Sequence, residues 1–93
     1  MCETTTMEEI SDTERVRILR FTLAPGGQTG WHTHHTDYVI VPYADCRVRV
    51  DTRTGSIDAE MWKDKPYFRA KGVEHNVTSL MPEPFSFLEI EIK

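Results

Sequence analysis

The feature that most limits what this chain can fold into is its apolar spacing: short alternating runs broken at close intervals by turn residues. A helix needs a period near 3.6 held over roughly ten residues or more. No segment holds one, and the acidic N-terminal stretch comes nearest. Residues 16–23 (VRILRFTL), 37–43 (DYVIVPY), 46–51 (CRVRVD), 57–61 (IDAEM) and 88–93 (LEIEIK) read instead as strands, with further extended pieces at 28–34, 67–70 and 76–80. Turns are marked by Ala24-Pro25-Gly26-Gly27, Thr54-Gly55, Lys63-Asp64-Lys65-Pro66, Lys71-Gly72-Val73 and Met81-Pro82-Glu83-Pro84. Strands at this spacing predict an all-β sandwich or barrel. The first strand changes apolar parity between Ile18 and Leu19, which predicts a bulge or burial on both faces. Pro42 lacks an N–H and belongs at a strand end or an edge. Val48 and Val50 are expected inward and Arg47 and Arg49 in solvent. Cys46 shares the valines' side and reads as a small buried hydrophobe rather than a ligand.

The 93 residues make one domain, and a chain this small buries only about two-thirds of its unfolded surface, so a homodimer is expected. Eleven Lys and Arg against fifteen Asp and Glu give a formal charge of -4, a sign that repels phosphate backbones and argues against nucleic-acid binding. No apolar stretch approaches the roughly 18 residues of a membrane span. The polar, acidic start, residues 1–14, shows no apolar signal region. Two cysteines, Cys2 and Cys46, make no disulfide framework, and with the missing signal they point to the cytoplasm. There is no G-x-S-x-G, P-loop or C-x-x-C, so serine-hydrolase, phosphoryl-transfer and redox-disulfide readings have no support.

All four histidines are informative by position. Three sit in Trp31-His32-Thr33-His34-His35, just after the Gly-rich turn. In an extended chain His32 and His34 project from one face, because side chains alternate. Two imidazoles on one face are half a divalent-metal site, and His75, in Gly72-Val73-Glu74-His75-Asn76, is the candidate third ligand. His35 has the opposite parity and is expected at the rim or in a structural role, and Trp31 is expected to point away from the site.

Residues 25–34 (PGGQTGWHTH) resemble the first motif of the cupin (RmlC-like) superfamily, in which a glycine turn precedes H-x-H. Residues 72–77 (GVEHNV) resemble the second, with its metal-binding histidine at His75. The resemblance covers residues 16–93, and TLAPGGQTGWHTH, DYVIVP, PYFRAKGVEHNV and FLEIEIK are most similar to very small single-domain cupins of the β-alanine-degradation type. It implies one cupin barrel, or jelly roll, over residues 14–93, with residues 1–13 as a flexible or dimer-contributing segment. It also implies one divalent transition metal per chain. Imidazole does not choose among Zn²⁺, Fe²⁺, Ni²⁺, Mn²⁺ and Cu²⁺. The chain departs from the motif where a glutamate ligand normally stands: Tyr38 occupies that position, with Asp37 beside it, and Asp45 falls at the motif's later glycine. Tyr38 shares parity with His32 and His34, so it is a candidate ligand or acid/base group. Asp37, or water with three histidines, are the alternatives.

A dication bound by neutral groups keeps more of its charge, so an anionic ligand such as a small carboxylate is expected to complete the shell. Among the arginines that could clamp it, Arg20 shares parity with Val16 and Ile18 and is the best inward candidate. Arg69 is another, and Glu74 is expected as a rim carboxylate. The leading reading is a metal-dependent enzyme acting on a small carboxylate metabolite, by oxygenase, isomerase, lyase or decarboxylase chemistry. The alternative is a non-catalytic metal or small-ligand binding module.

Overall fold

Turn residues and alternating strands assemble, in a computed structural model that describes residues 5–93, into nine strands, with no helix among those residues. Cys2 lies outside the described residues. The strands are β1 (Thr5–Asp12), β2 (Val16–Leu23), β3 (His32–Thr33), β4 (Asp37–Pro42), β5 (Cys46–Thr52), β6 (Gly55–Met61), β7 (Tyr67–Arg69), β8 (Glu74–Ser79) and β9 (Phe85–Ile92). They form two sheets, ordered β1-β2-β9-β4-β7 and β3-β8-β5-β6, and every pair is antiparallel. The acidic stretch nearest to a helical period is thus strand β1, paired along β2 with a register shift between Glu9 and Ser11. Its tertiary partner overrides a local pattern that only weakly favoured a helix. β4 ends at Pro42, where the missing N–H costs no ladder bond. Pro25 and Gly26 close a tight turn in which Gly26 takes φ 75° and Gly27 N–H donates to the Ala24 carbonyl at 2.8 Å.

The two sheets face each other, and their inner side chains form cross-strand rungs. On the five-stranded sheet the register gives Arg17–Glu91–Tyr38–Arg69, then Leu19–Glu89–Ile40–Tyr67, then Met7–Phe21–Phe87–Pro42, and finally Leu23–Phe85. The four-stranded sheet gives His32–His75, then Val77–Val50–Ile57, then Ser79–Val48–Ala59, then Cys46–Met61. One end of the barrel is therefore charged and polar while the other is closed by apolar packing. Leu23, Cys46, Val48, Phe85 and Phe87 form the buried cluster at the closed end. Phe21 stacks on Phe87 with ring centroids 5.4 Å apart.

β9 reverses the usual alternation. Phe85, Phe87 and Glu89 are buried inward, while Leu88, Ile90 and Ile92 lie on the outer face. Outward residues of the neighbouring strands, Val16, Ile18, Val39, Val41 and Phe68, extend that outer face into an apolar surface. The parity change in β2 therefore reflects two apolar faces. The same fact corrects the expectation for Arg20: with Leu19 and Leu23 inward, Arg20 points outward and pairs with Glu8 at 2.7 Å. Arg17 is the β2 arginine that faces in, 3.7 Å from Glu91. Val48 is buried and Arg47 and Arg49 are exposed, as their alternation requires. Cys46 is only 4% exposed, and burial pushes its thiol up to about 11, so it serves as core.

A Leu23→Ala change removes a fully buried side chain and is expected to cost about 2–5 kcal/mol in urea unfolding. Arg49→Ala breaks only an exposed pair with Asp58 at 4.0 Å and is expected to cost within about 0.5 kcal/mol.

Candidate metal centre

The site is assembled by the pairing of β3 with β8. His32 lies opposite His75, and the pairing continues past β3 through His34 N–H to the Val73 carbonyl at 2.9 Å and Gly72 N–H to the His34 carbonyl at 2.8 Å. His32 and His34 project from one side of this extended segment toward His75. Gly30 takes φ 87°, a region an L side chain adopts only with strain. Its N–H donates to Asn76 Oδ1 at 2.9 Å and its carbonyl accepts from His32 Nδ1 at 2.7 Å. Asn76, which is buried, also donates through Nδ2 to Gln28 Oε1 and Asp51 Oδ2 at 3.2 and 3.3 Å. The glycine loop, and with it the His32 ring, is therefore tied to β8 beside His75.

A carbonyl oxygen only accepts, so His32 Nδ1 carries the ring proton and Nε2 keeps its lone pair. His34 Nε2 lies 2.9 Å and His75 Nε2 3.1 Å from that atom. Glu89 Oε2 lies 3.9 Å from His34 Nδ1, too far for a hydrogen bond but near enough for its charge to act on the ring. Ligand atoms of the three histidines all lie within 4.8 Å of one another. The His32 Nε2 lone pair faces two further ring nitrogens, and zinc–imidazole bonds of about 2.0–2.1 Å suit such spacing. The donor set thus fits a divalent transition metal. Burial first, and then the neighbouring histidines, lower His34 to about 4; burial first, then His32 and Arg69, do the same for His75. Both are neutral at physiological pH, the form a metal binds.

The Tyr38 ring lies flat on His34, with centroids 3.8 Å apart and planes 15° apart. Burial and then Glu89 push its phenol up to about 12, so it keeps its proton in the metal-free protein. Asp37 accepts the Lys71 N–H at 2.9 Å and is engaged in that loop. His35 is exposed and lines the cavity mouth outside the convergent trio. Trp31 is exposed, with the Arg53 guanidinium 5.9 Å from its ring centre, and Arg53 in turn grips Glu74 through two bonds at 2.9 and 3.0 Å.

Inward Glu89 and Glu91, Arg17 and the Asn76 clamp were not singled out from the sequence. Asn76 could have been suspected from its place beside His75. The glutamates were hidden because alternation alone does not tell which side of β9 faces in. Burial and then Glu91 raise the Glu89 carboxyl to about 7.

Two facing antiparallel sheets closed at one end, with three imidazoles converging at the open end, define a small barrel of the double-stranded β-helix class. The chain belongs to the cupin superfamily. It is 39% identical over 82 residues to the β-alanine degradation protein BauB of Pseudomonas aeruginosa, covering 88% of this chain and 86% of that protein. A cupin domain of known structure from Bordetella pertussis Tohama I is 39% identical, with a TM-score of 0.94 over 97% of this chain and 94% of the other. The polyketide cyclase RemF of Streptomyces resistomycificus shares the fold at 18% identity, with a TM-score of 0.77 over 97% of this chain and 66% of that one. No family model matches the chain. No helix among the described residues is long and apolar enough to cross a membrane.

The buried imidazoles fix a pH signature for the metal-stripped protein. His34 and His75 titrate near 4 when folded against 6.5 for the free group, so over that interval the unfolded chain binds more protons and stability rises with pH. Glu89 has the opposite sign: its folded value of about 7 lies above the ordinary 4.5, so its contribution declines as pH rises between them. Two histidines outweigh one carboxyl, and the urea midpoint is expected to be higher at pH 6.5 than at pH 4.5 (the bounds set by those ordinary values). In Glu89→Gln the rise should steepen; an unchanged slope would show that Glu89 does not titrate this way.

Proposed function

We propose that this protein holds one divalent transition metal per chain through Nε2 of His32, His34 and His75 and uses it to bind a small-molecule carboxylate. The observation that carries the reading is the convergence of three imidazole nitrogens, with the opposite nitrogen of His32 tied to the Gly30 carbonyl. When bound, the metal supplies a Lewis acid that polarises an oxygen ligand or lowers the pKa of a bound water. The chain does the rest. The three neutral imidazoles leave the dication's charge uncompensated, which favours an anion. Arg69, at the mouth, forms no ion pair among the described residues; its guanidinium lies 5.7 Å from the Tyr67 ring centre and donates through Nη1 to the Phe68 carbonyl at 3.0 Å, which leaves its charge and its other N–H groups for a carboxylate. Tyr38 is the acid/base group of this proposal: its phenol keeps a proton to donate, and ligation would require the cation to displace it.

The likeness to BauB supports amino-acid or β-alanine-type catabolism as the setting, with the free buried thiol of Cys46 in keeping with the cytoplasm. One observation favours a non-catalytic binding or sensing module instead. The connections between strands are short, the longest being residues 24–31, and none has the length of a closing lid. Conversion of any carboxylate by the metal-loaded protein decides for the enzyme; a rise in melting temperature without conversion decides for the binder.

The reading includes a homodimer, supported by the outer face of the five-stranded sheet. Four strands about 4.8 Å apart and about six residues long span a face of roughly 400 Å². That is about half of the ~800 Å² that each partner buries in a standard interface, so this face would form the apolar centre of one. The apolar centre of this face, Ile18, Ile90 and Val39, is bordered by the Arg20–Glu8 pair, an apolar core with a charged rim that a second copy of the chain can match about a two-fold axis.

Elemental analysis of the purified protein is expected to show close to one metal per chain, and His34→Ala or His75→Ala to remove most of it. Retention of metal by both variants would refute the ligand assignment. In sedimentation the wild type is expected as a dimer and Ile90→Lys as a monomer. A monomeric wild type overturns the dimer, and a dimeric variant overturns this face as its interface.

A further inference from the structure

The interior is much larger than a small amino acid needs, and its polarity is graded. The cavity between the sheets has a volume of about 680 Å³. That is on the order of twenty times the ~30 Å³ share of one water molecule in the liquid, and it falls among pockets that hold drug-sized ligands. Its outer rung is Arg17–Glu91–Tyr38–Arg69, level with the histidines. One rung in lie Glu89, beside His34, and Tyr67, and Glu60 on the edge strand β6 is a further carboxylate of the lining. Deeper, the facing residues are Phe21 and Phe87 on one sheet and Val50, Val77, Val48 and Ala59 on the other. Water in a cavity needs two or more polar partners, and these deeper rungs offer almost none.

A ligand that satisfies such a space has a charged head and an apolar body. We infer that the carboxylate bound at the metal end carries an aliphatic or aryl chain that lies between the two sheets, against Phe21, Phe87 and Val48. This rests on the carboxylate-binding reading above and adds the class of its ligand: an amphipathic carboxylic acid rather than a fully polar amino acid. Arg17 does not compete for the head, because Glu9 at 3.1 Å and Glu91 at 3.7 Å already neutralise it. Arg69 is left as the cation that meets the incoming carboxylate at the mouth. Ala59, the smallest side chain of the deep rungs, then limits how far the body reaches.

The test is a chain-length series on the zinc-loaded protein, with acetate, butyrate, hexanoate, octanoate and β-alanine as probes and affinity read by calorimetry. Each buried methylene is expected to tighten binding about three- to four-fold until the cavity is full. Octanoate should bind far more tightly than acetate or β-alanine. Ala59→Leu should shorten the preferred chain, and 1-octanol, which lacks the charge, should bind more weakly than octanoate. Equal affinity from acetate to octanoate would overturn the apolar body while leaving carboxylate binding intact. Binding of 1-octanol as tight as octanoate would overturn the placement of the head at the metal end. No binding of any carboxylate, on protein shown to hold zinc, would overturn the underlying reading.

Discussion

The register of β9 between β2 and β4 is the constraint on which the rest of the molecule depends. Side chains alternate along a strand, so a slip of one residue would turn Glu89 and Glu91 outward and bring Leu88, Ile90 and Ile92 into the barrel. Simple burial of aliphatic residues would favour the slip. Phe85 against Leu23, Phe87 stacked on Phe21, and Glu91 beside Arg17 hold the observed register. Two large rings at the closed end outweigh three aliphatic side chains on the outer face, particularly where that face is covered. The chosen register puts Glu89 behind His34 and places an acid–base rung at the mouth.

The histidine centre is built from the same economy of contacts. His32 is aligned by one backbone carbonyl, that carbonyl is positioned by a glycine in a left-handed conformation, and the glycine is held by the Asn76 amide on the strand carrying His75. Each imidazole is prepared before any metal arrives: one tautomer is enforced by a hydrogen bond, and two protonations are suppressed by burial. Such preparation lowers the reorganisation needed on binding, and loss of an outer partner commonly weakens metal affinity about 10–100-fold.

Much of this was legible in the sequence. β2 was read with its observed limits, β4 to within one residue, and the placement of His32, His34 and His75 follows from alternation and from two glycine-bearing motifs. The inward side of β2 and β9 was not legible. Both strands carry apolar residues on each parity, and Arg20 appeared inward because Val16 and Ile18 were assumed to face the core. An apolar residue can face a partner surface instead, and sequence periodicity does not distinguish the two. β1 was hidden for a related reason: an acidic edge strand, held by its backbone ladder to β2 with Glu8 and Glu9 paired to Arg20 and Arg17, has no clean apolar alternation to read.

A short chain that keeps a large cavity gives up packing it can ill spare. Its tightly buried cluster is confined to the end closed by Leu23, Cys46, Val48, Phe85 and Phe87, while the histidine end is open. Domains of this size are marginal even when solidly packed. Filling the cavity with a ligand's apolar body, binding a cation among three imidazoles, or covering the outer sheet face would each act on the folded state alone and so add to its stability by mass action. An open interior and an apolar exterior are then the two surfaces at which the proposed ligand and a second copy of the chain would complete the molecule.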